Sequence, residues 1–117
     1  MIVYKEVKFD AAHKLNNYEG ACKNLHGHCI CVQCWIKFNG KLDKSGISID
    51  FVKLKEILTQ FDHKYLNDYI HDPTSENLAN YFLREIEKTF SCSAKIRVWE
   101  SDTSYIEVES EDYENNR

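Results

Sequence analysis

A cysteine and two histidines stand close together in Cys22-Lys23-Asn24-Leu25-His26-Gly27-His28. In extended backbone, residues at i and i+2 point to the same side, so His26 and His28 share a face. Gly27 puts no competing side chain between them. Two imidazoles on one face supply half the donors of a tetrahedral zinc site. A catalytic zinc takes three protein ligands and keeps one position open for water or substrate. This chemistry asks three further things of the chain: a third donor, a partner for the Cys22 thiol, and a group that holds a substrate.

His13 is a candidate third donor. Residues 2–13 read as a strand in which Val3, Val7, Phe9 and Ala11 share a parity, interrupted by Lys5, and His13 continues that face. Taken alone, a histidine ending an apolar face is more often a core-edge side chain with a satisfied hydrogen bond. Cys22 alone would be a small buried hydrophobe. Asp62-His63 is a candidate pair in which a carboxylate orients an imidazole and raises its basicity. Neighbours in a regular strand point apart, so the backbone must bend for the two to meet, and the dipeptide alone reads as a solvated surface pair. Glu100 ends a face otherwise made of Ala94, Ile96 and Val98. An unpaired buried carboxylate is costly, so Glu100 wants a multi-donor partner such as the guanidine-like edge of a ligand. A salt bridge to Arg97 or a lysine, or exposure at the strand end, would also satisfy it.

These groups must be positioned by the elements around them. Residues 14–25 read as a loop from Asn16, Asn17, Gly20 and Asn24. Residues 26–38 read as a second strand with apolar side chains on both faces, the mark of a strand covered on both sides. Asn39-Gly40 and Ser45-Gly46 are turns. Asp50 caps a helix over about 51–61 with Phe51, Leu54, Leu58 and Phe61 as its stripe. Residues 62–73 are irregular. Thr74 or Ser75 caps a second helix, with Glu76 at the positive end of its dipole and Leu78, Phe82, Ile86 and Phe90 as its buried stripe. Residues 92–101 and 105–109 are two further strands. The polar tail, 109–117, is expected to fray.

Strand, strand, helix, helix, strand, strand makes an α+β layer: one domain over 1–117, with a four-stranded antiparallel sheet and two helices between the strand pairs. The chain has 117 residues, 43% of them hydrophobic, and a net charge of −4, which suits a small folded domain and not a disordered segment. No dense Lys/Arg cluster suggests nucleic-acid binding. No apolar run approaches the roughly 18 residues of a membrane span. The charged N-terminus, with Lys5 and Glu6, does not read as a secretory signal. Cys29, Cys31 and Cys34 lie on one strand and do not form a disulfide framework, so reduced thiols and a cytoplasmic location are expected.

Five pieces now fall in order: Phe9-Asp10-Ala11-Ala12-His13, Cys22-x-x-x-His26-Gly27-His28, Asp62-His63-x-x-Leu66-Asn67, Pro73-Thr74-Ser75-Glu76-Asn77 and Trp99-Glu100-Ser101. Together they resemble the 6-pyruvoyl-tetrahydropterin synthase family over about residues 3–108. The resemblance implies the tunnelling fold, with subunits joined into trimeric barrels that stack as homohexamers and active sites at subunit contacts. It implies a zinc ion held by His13, His26 and His28. It implies a catalytic thiol at Cys22 working with the Asp62–His63 dyad. Glu100 would anchor the amino-pyrimidine edge of a small-molecule pterin, and Thr74, Ser75 and Glu76 would contact the pterin from the neighbouring subunit.

Three residues between Cys22 and His26 resemble the bacterial 6-carboxy-5,6,7,8-tetrahydropterin synthase branch of the queuosine pathway, whereas animal-type pyruvoyl enzymes usually have a longer gap. The implied reaction converts 7,8-dihydroneopterin triphosphate to 6-carboxy-5,6,7,8-tetrahydropterin, acetaldehyde and triphosphate. The alternatives are formation of 6-pyruvoyl-tetrahydropterin, or a non-enzymatic, zinc-stabilised pterin-binding module in which Cys22 closes the metal site.

Overall fold

A computed structural model of the chain describes residues 1–15 and 26–114, with His26 described through its backbone. The two longest alternating segments pair first. β1 (Ile2–His13) and β2 (His26–Lys37) run antiparallel, with Val7 opposite Val32, Ala11 opposite His28 and His13 opposite His26. After β2 come α1 (Phe51–Leu58), the two-residue β3 (Lys64–Tyr65), a 3-10 turn (Leu66–Asp68) and α2 (Ser75–Phe90). β4 (Ser93–Ser101) then joins the free side of β2, and β5 (Ser104–Glu109) pairs with β4, both antiparallel. The sheet order is β3-β1-β2-β4-β5.

The α+β class and the order of the long elements agree with the sequence reading. The sheet is mixed and five-stranded, however, because β3 pairs parallel with β1 through Ala11–Lys64 and Ala12–Tyr65. Two residues carry no periodicity, so only the pairing with β1 makes them a strand.

Local chemistry sets the helix limits. Asp50 accepts a hydrogen bond from the Val52 amide at 2.9 Å and starts α1. α1 ends at Leu58, short of Phe61, where Thr59 turns its hydroxyl back to the Lys55 carbonyl at 2.7 Å. Phe61 is buried all the same, packed on Phe82 with 5.9 Å between ring centroids. Thr74 accepts from the Asn77 amide at the start of α2, and Ser91, at φ 53°, ends it in the left-handed region.

Parity decides the core. Val7, Phe9, Val32, Ile96 and Val98 project from one face of the sheet and are buried with Leu78, Phe82 and Ile86 of α2. Complete burial of a side chain such as Phe82 contributes about 2–3 kcal/mol. The helices cover this face alone, which corrects the reading of β2 as covered on both sides. On the opposite face the polar tips satisfy one another: Gln33 donates to Tyr4 at 2.9 Å and to Glu6 at 3.0 Å, and Trp99 donates to Gln33 at 2.6 Å. Chain 109–117 was expected to fray, but its described part packs. Ser110 and Tyr113 are buried, Ser110 donates to Glu87 at 2.6 Å, and Lys37 donates to the Tyr113 carbonyl. Among the described residues, no helix is long and apolar enough to cross a membrane.

Candidate metal and pterin site

The β1–β2 register carries the core face out to a polar end. Phe9 and Ile30 face each other inside the core, Ala11 lies opposite His28, and His13 lies opposite His26. His13 and His28 therefore share one face at one end of the sheet. Glu100 stands near the end of β4 at an irregularity in the β4–β5 pairing between Trp99 and Ser101, and its side chain reaches His13 and His28.

The side chains of His13, His28 and Glu100 converge. Glu100 Oε1 lies 3.2 Å from His28 Nε2 and 3.8 Å from His13 Nε2, and one ligand atom from each residue falls within 4.8 Å of the others. The two imidazole rings stand nearly perpendicular, at 83°, with centroids 4.8 Å apart. Arg97 does not satisfy Glu100. It has the opposite parity and bonds Glu107 at 2.6 Å on the other face.

The segment before α2 braces this cluster. His13 is 3% exposed, and its Nδ1 lies 2.7 Å from the Pro73 carbonyl oxygen. A carbonyl only accepts, so Nδ1 carries the hydrogen and Nε2 presents a lone pair to the cluster. Two residues on, Ser75 donates its hydroxyl to Glu100 Oε2 at 3.0 Å. The Pro73 carbonyl is a functional group the sequence reading missed, because no side-chain pattern signals a backbone acceptor. Thr74 spends its hydroxyl oxygen on the helix cap, and Glu76 is exposed on the first turn.

The donor chemistry fits a zinc-type cation. The imidazole nitrogens of His13 and His28 are ligands of that class, and a backbone acceptor on the far nitrogen of a ligating histidine is the usual way its ring is oriented. The backbone register places His26 at the same end of the sheet.

Asp62 and His63 approach each other through a bent backbone, at a separation longer than a hydrogen bond. His63 has φ 59°, and its Nε2 lies 3.8 Å from Asp62 Oδ1. Asp62 Oδ1 also accepts from the Asp10 amide at 3.2 Å. The His63 ring is largely exposed and borders a cleft of about 590 Å³ that His28, Gly27 and Tyr65 also line. Cys22 lies outside the described residues.

The architecture is that of the pterin synthases with the tunnelling fold. Aligned with Caenorhabditis elegans 6-pyruvoyl tetrahydropterin synthase, the chain superposes with a TM-score of 0.70 over 94% of its length and 95% of that chain, at 23% identity. Residues 2–111 match the 6-pyruvoyl tetrahydropterin synthase family, and the chain belongs to that family. It is 35% identical to the 6-carboxy-5,6,7,8-tetrahydropterin synthase of Synechocystis, over 74% of this chain and 75% of that one. It is 30% identical to the Haemophilus influenzae protein of the same name, over 92% and 97%. It is 32% identical to the dihydroneopterin monophosphate aldolase of Pyrococcus furiosus, over 92% and 96%. The family and these relatives identify a pterin-synthase type of enzyme acting on a small-molecule pterin, with a candidate metal site in the chain.

Proposed function

We propose that the protein is a zinc-dependent 6-carboxy-5,6,7,8-tetrahydropterin synthase, converting 7,8-dihydroneopterin triphosphate to 6-carboxy-5,6,7,8-tetrahydropterin, acetaldehyde and triphosphate. The observation that carries this reading is the convergence of His13, His28 and Glu100, one ligand atom of each within 4.8 Å of the others, at the polar end of the core face. His13, His26 and His28 would hold the metal. When bound, zinc supplies a Lewis acid that lowers the pKa of the substrate's side-chain hydroxyls.

The chain's own groups do the rest. Glu100, steadied by Ser75, accepts hydrogen bonds from the amino-pyrimidine edge of the pterin and fixes the ring. His63 at the cleft wall, beside Asp62, moves a proton between the substrate side chain and the ring. Cys22, as thiolate, is the second proton-transfer group. Thr74 and Glu76 would contact a pterin held by the neighbouring subunit of a homohexamer, while Ser75 of the same segment bonds Glu100 within its own chain. The protein works in the cytoplasm with reduced thiols.

The Pyrococcus furiosus relative supports a second reading, cleavage of the monophosphate. Its identity to this chain, 32%, sits between the 35% and 30% of the two carboxy synthases, so identity does not separate the substrates. The spacing of Cys22 and His26 favours the carboxy branch. Zinc-loaded protein incubated with 7,8-dihydroneopterin triphosphate should yield acetaldehyde and 6-carboxytetrahydropterin by mass spectrometry. A 6-pyruvoyl product would support the pyruvoyl reaction instead. Turnover of dihydroneopterin monophosphate alone would support the aldolase, and binding without turnover of any of them would leave a pterin-binding module.

A further inference from the structure

His63 holds a conformation that its own residue type does not favour. At φ 59° it lies in the left-handed region, which costs a residue with a Cβ about 1–2 kcal/mol. Such a residue stays in place only where the chain on both sides is fixed. On its N-terminal side the fixing is plain: the His63 amide donates to the Asp10 carbonyl at 2.7 Å, and Asp62 Oδ1 accepts from the Asp10 amide at 3.2 Å. On its C-terminal side the regular pairing is short, because β3 has only two residues.

Asn67 makes up for the short strand. Its Oδ1 accepts from the Lys14 amide at 2.9 Å, and its Nδ2 donates to the Lys14 carbonyl at 2.8 Å. One carboxamide thus satisfies both backbone groups of Lys14, as a facing strand residue would, and it does so beyond the point where β3 has ended. Segment 62–67 is therefore tied to β1 at Asp10 and, one residue past the end of β1, at Lys14. His13, a candidate metal ligand, lies between the two ties. Leu66, 1% exposed, pins the same segment into the core.

We propose that Asn67 is a positioning residue that acts through His63, holding its ring at a set distance from the His13 end of β1. The part concerning catalysis rests on the reading of His63 as a proton-transfer group. Only a carboxamide can both donate and accept here. Asp at this position would accept from the Lys14 amide but could not donate to the carbonyl, and Ala would do neither.

The test measures position and turnover separately. In Asn67→Ala, residue-resolved amide exchange should rise at least tenfold at Lys14 and His63, while exchange at Val32 and Ile96 in the central strands stays as in the parent. kcat should fall roughly 30- to 100-fold, in line with the cost of misplacing a reacting group by about 1 Å. Asn67→Asp should fall in the same direction. KM should change less than about threefold, and zinc content should be unchanged. In a His63→Ala background, Asn67→Ala should cost less than about threefold more, because its effect passes through the missing ring. Unchanged exchange at His63 would overturn the proposal. So would the same loss of kcat in both backgrounds, or a lowered melting temperature with parental kcat. If exchange rises at His63 but His63→Ala leaves turnover intact, the mechanistic role of His63 fails while the clamp by Asn67 stands.

Discussion

His13 gives its Nδ1 hydrogen to the carbonyl oxygen of Pro73 across 2.7 Å, and that contact sets which nitrogen faces Glu100 and His28. The ring is locked by a backbone atom sixty residues away in sequence. His13→Ala and His28→Ala are each expected to lower bound zinc from one ion per chain to less than about a tenth of that, read by elemental analysis after dialysis against metal-free buffer. Loss of one of three ligands leaves too few donors for a stable tetrahedral site. Full metal content in either variant would remove that residue from the ligand set.

Ser75 holds the other oxygen of the same carboxylate, at 3.0 Å from Glu100 Oε2. A hydrogen bond of this kind contributes about 1 kcal/mol net, or roughly fivefold in an equilibrium constant. Ser75→Ala should therefore raise KM for the pterin about three- to tenfold with a smaller change in kcat. Steady-state kinetics on the zinc-loaded protein checks this, and a change confined to kcat would place Ser75 elsewhere in the mechanism.

Cys22→Ala should keep the fold and the metal and lose at least about a hundredfold in turnover, as expected for a general acid–base group. Circular dichroism, elemental analysis and product formation read the three quantities. Turnover near the parent level would take Cys22 out of the mechanism.

Cys34 is fully buried, and burial pushes its thiol up to about 12. Tyr81 is likewise pushed to about 12, by burial and then by the Glu85 carboxylate beside its hydroxyl. Both groups stay neutral in the folded chain while the unfolded chain loses protons above about pH 9–10. Stability from these groups is thus complete below that range and is lost as pH rises towards 12. Melting temperature should fall steadily above about pH 9, and Cys34→Val should flatten part of that fall. A thiol reagent should label the exposed Cys29 in the native protein and reach Cys34 only on unfolding.

Much of this was readable from spacing. The parity of Val3, Val7, Phe9, Ala11 and His13 predicts a half-covered strand, and the structure buries all five. The stripe Leu78, Phe82, Ile86 predicts α2 because a sixteen-residue helix repeats its signal several times. What could not be read has no period or no side chain. β3 exists only because Lys64 and Tyr65 lie beside Ala11 and Ala12. The Pro73 acceptor is backbone. Tyr113 is buried although its neighbours Glu111, Asp112 and Glu114 are acidic, because Lys37 beneath it supplies a cation over its ring at 4.1 Å and a donor to its carbonyl. Asn67 stood in a recognised stretch, but its pair of hydrogen bonds to Lys14 depends on a contact fifty-three residues away.

Zinc K-edge X-ray absorption on the purified, zinc-loaded protein tests the central claim most directly. The expected spectrum has three imidazole nitrogens near 2.0–2.1 Å, one exchangeable oxygen ligand and no sulfur. A sulfur shell near 2.3 Å, or fewer than three imidazoles, would contradict it and leave only the fold and the family.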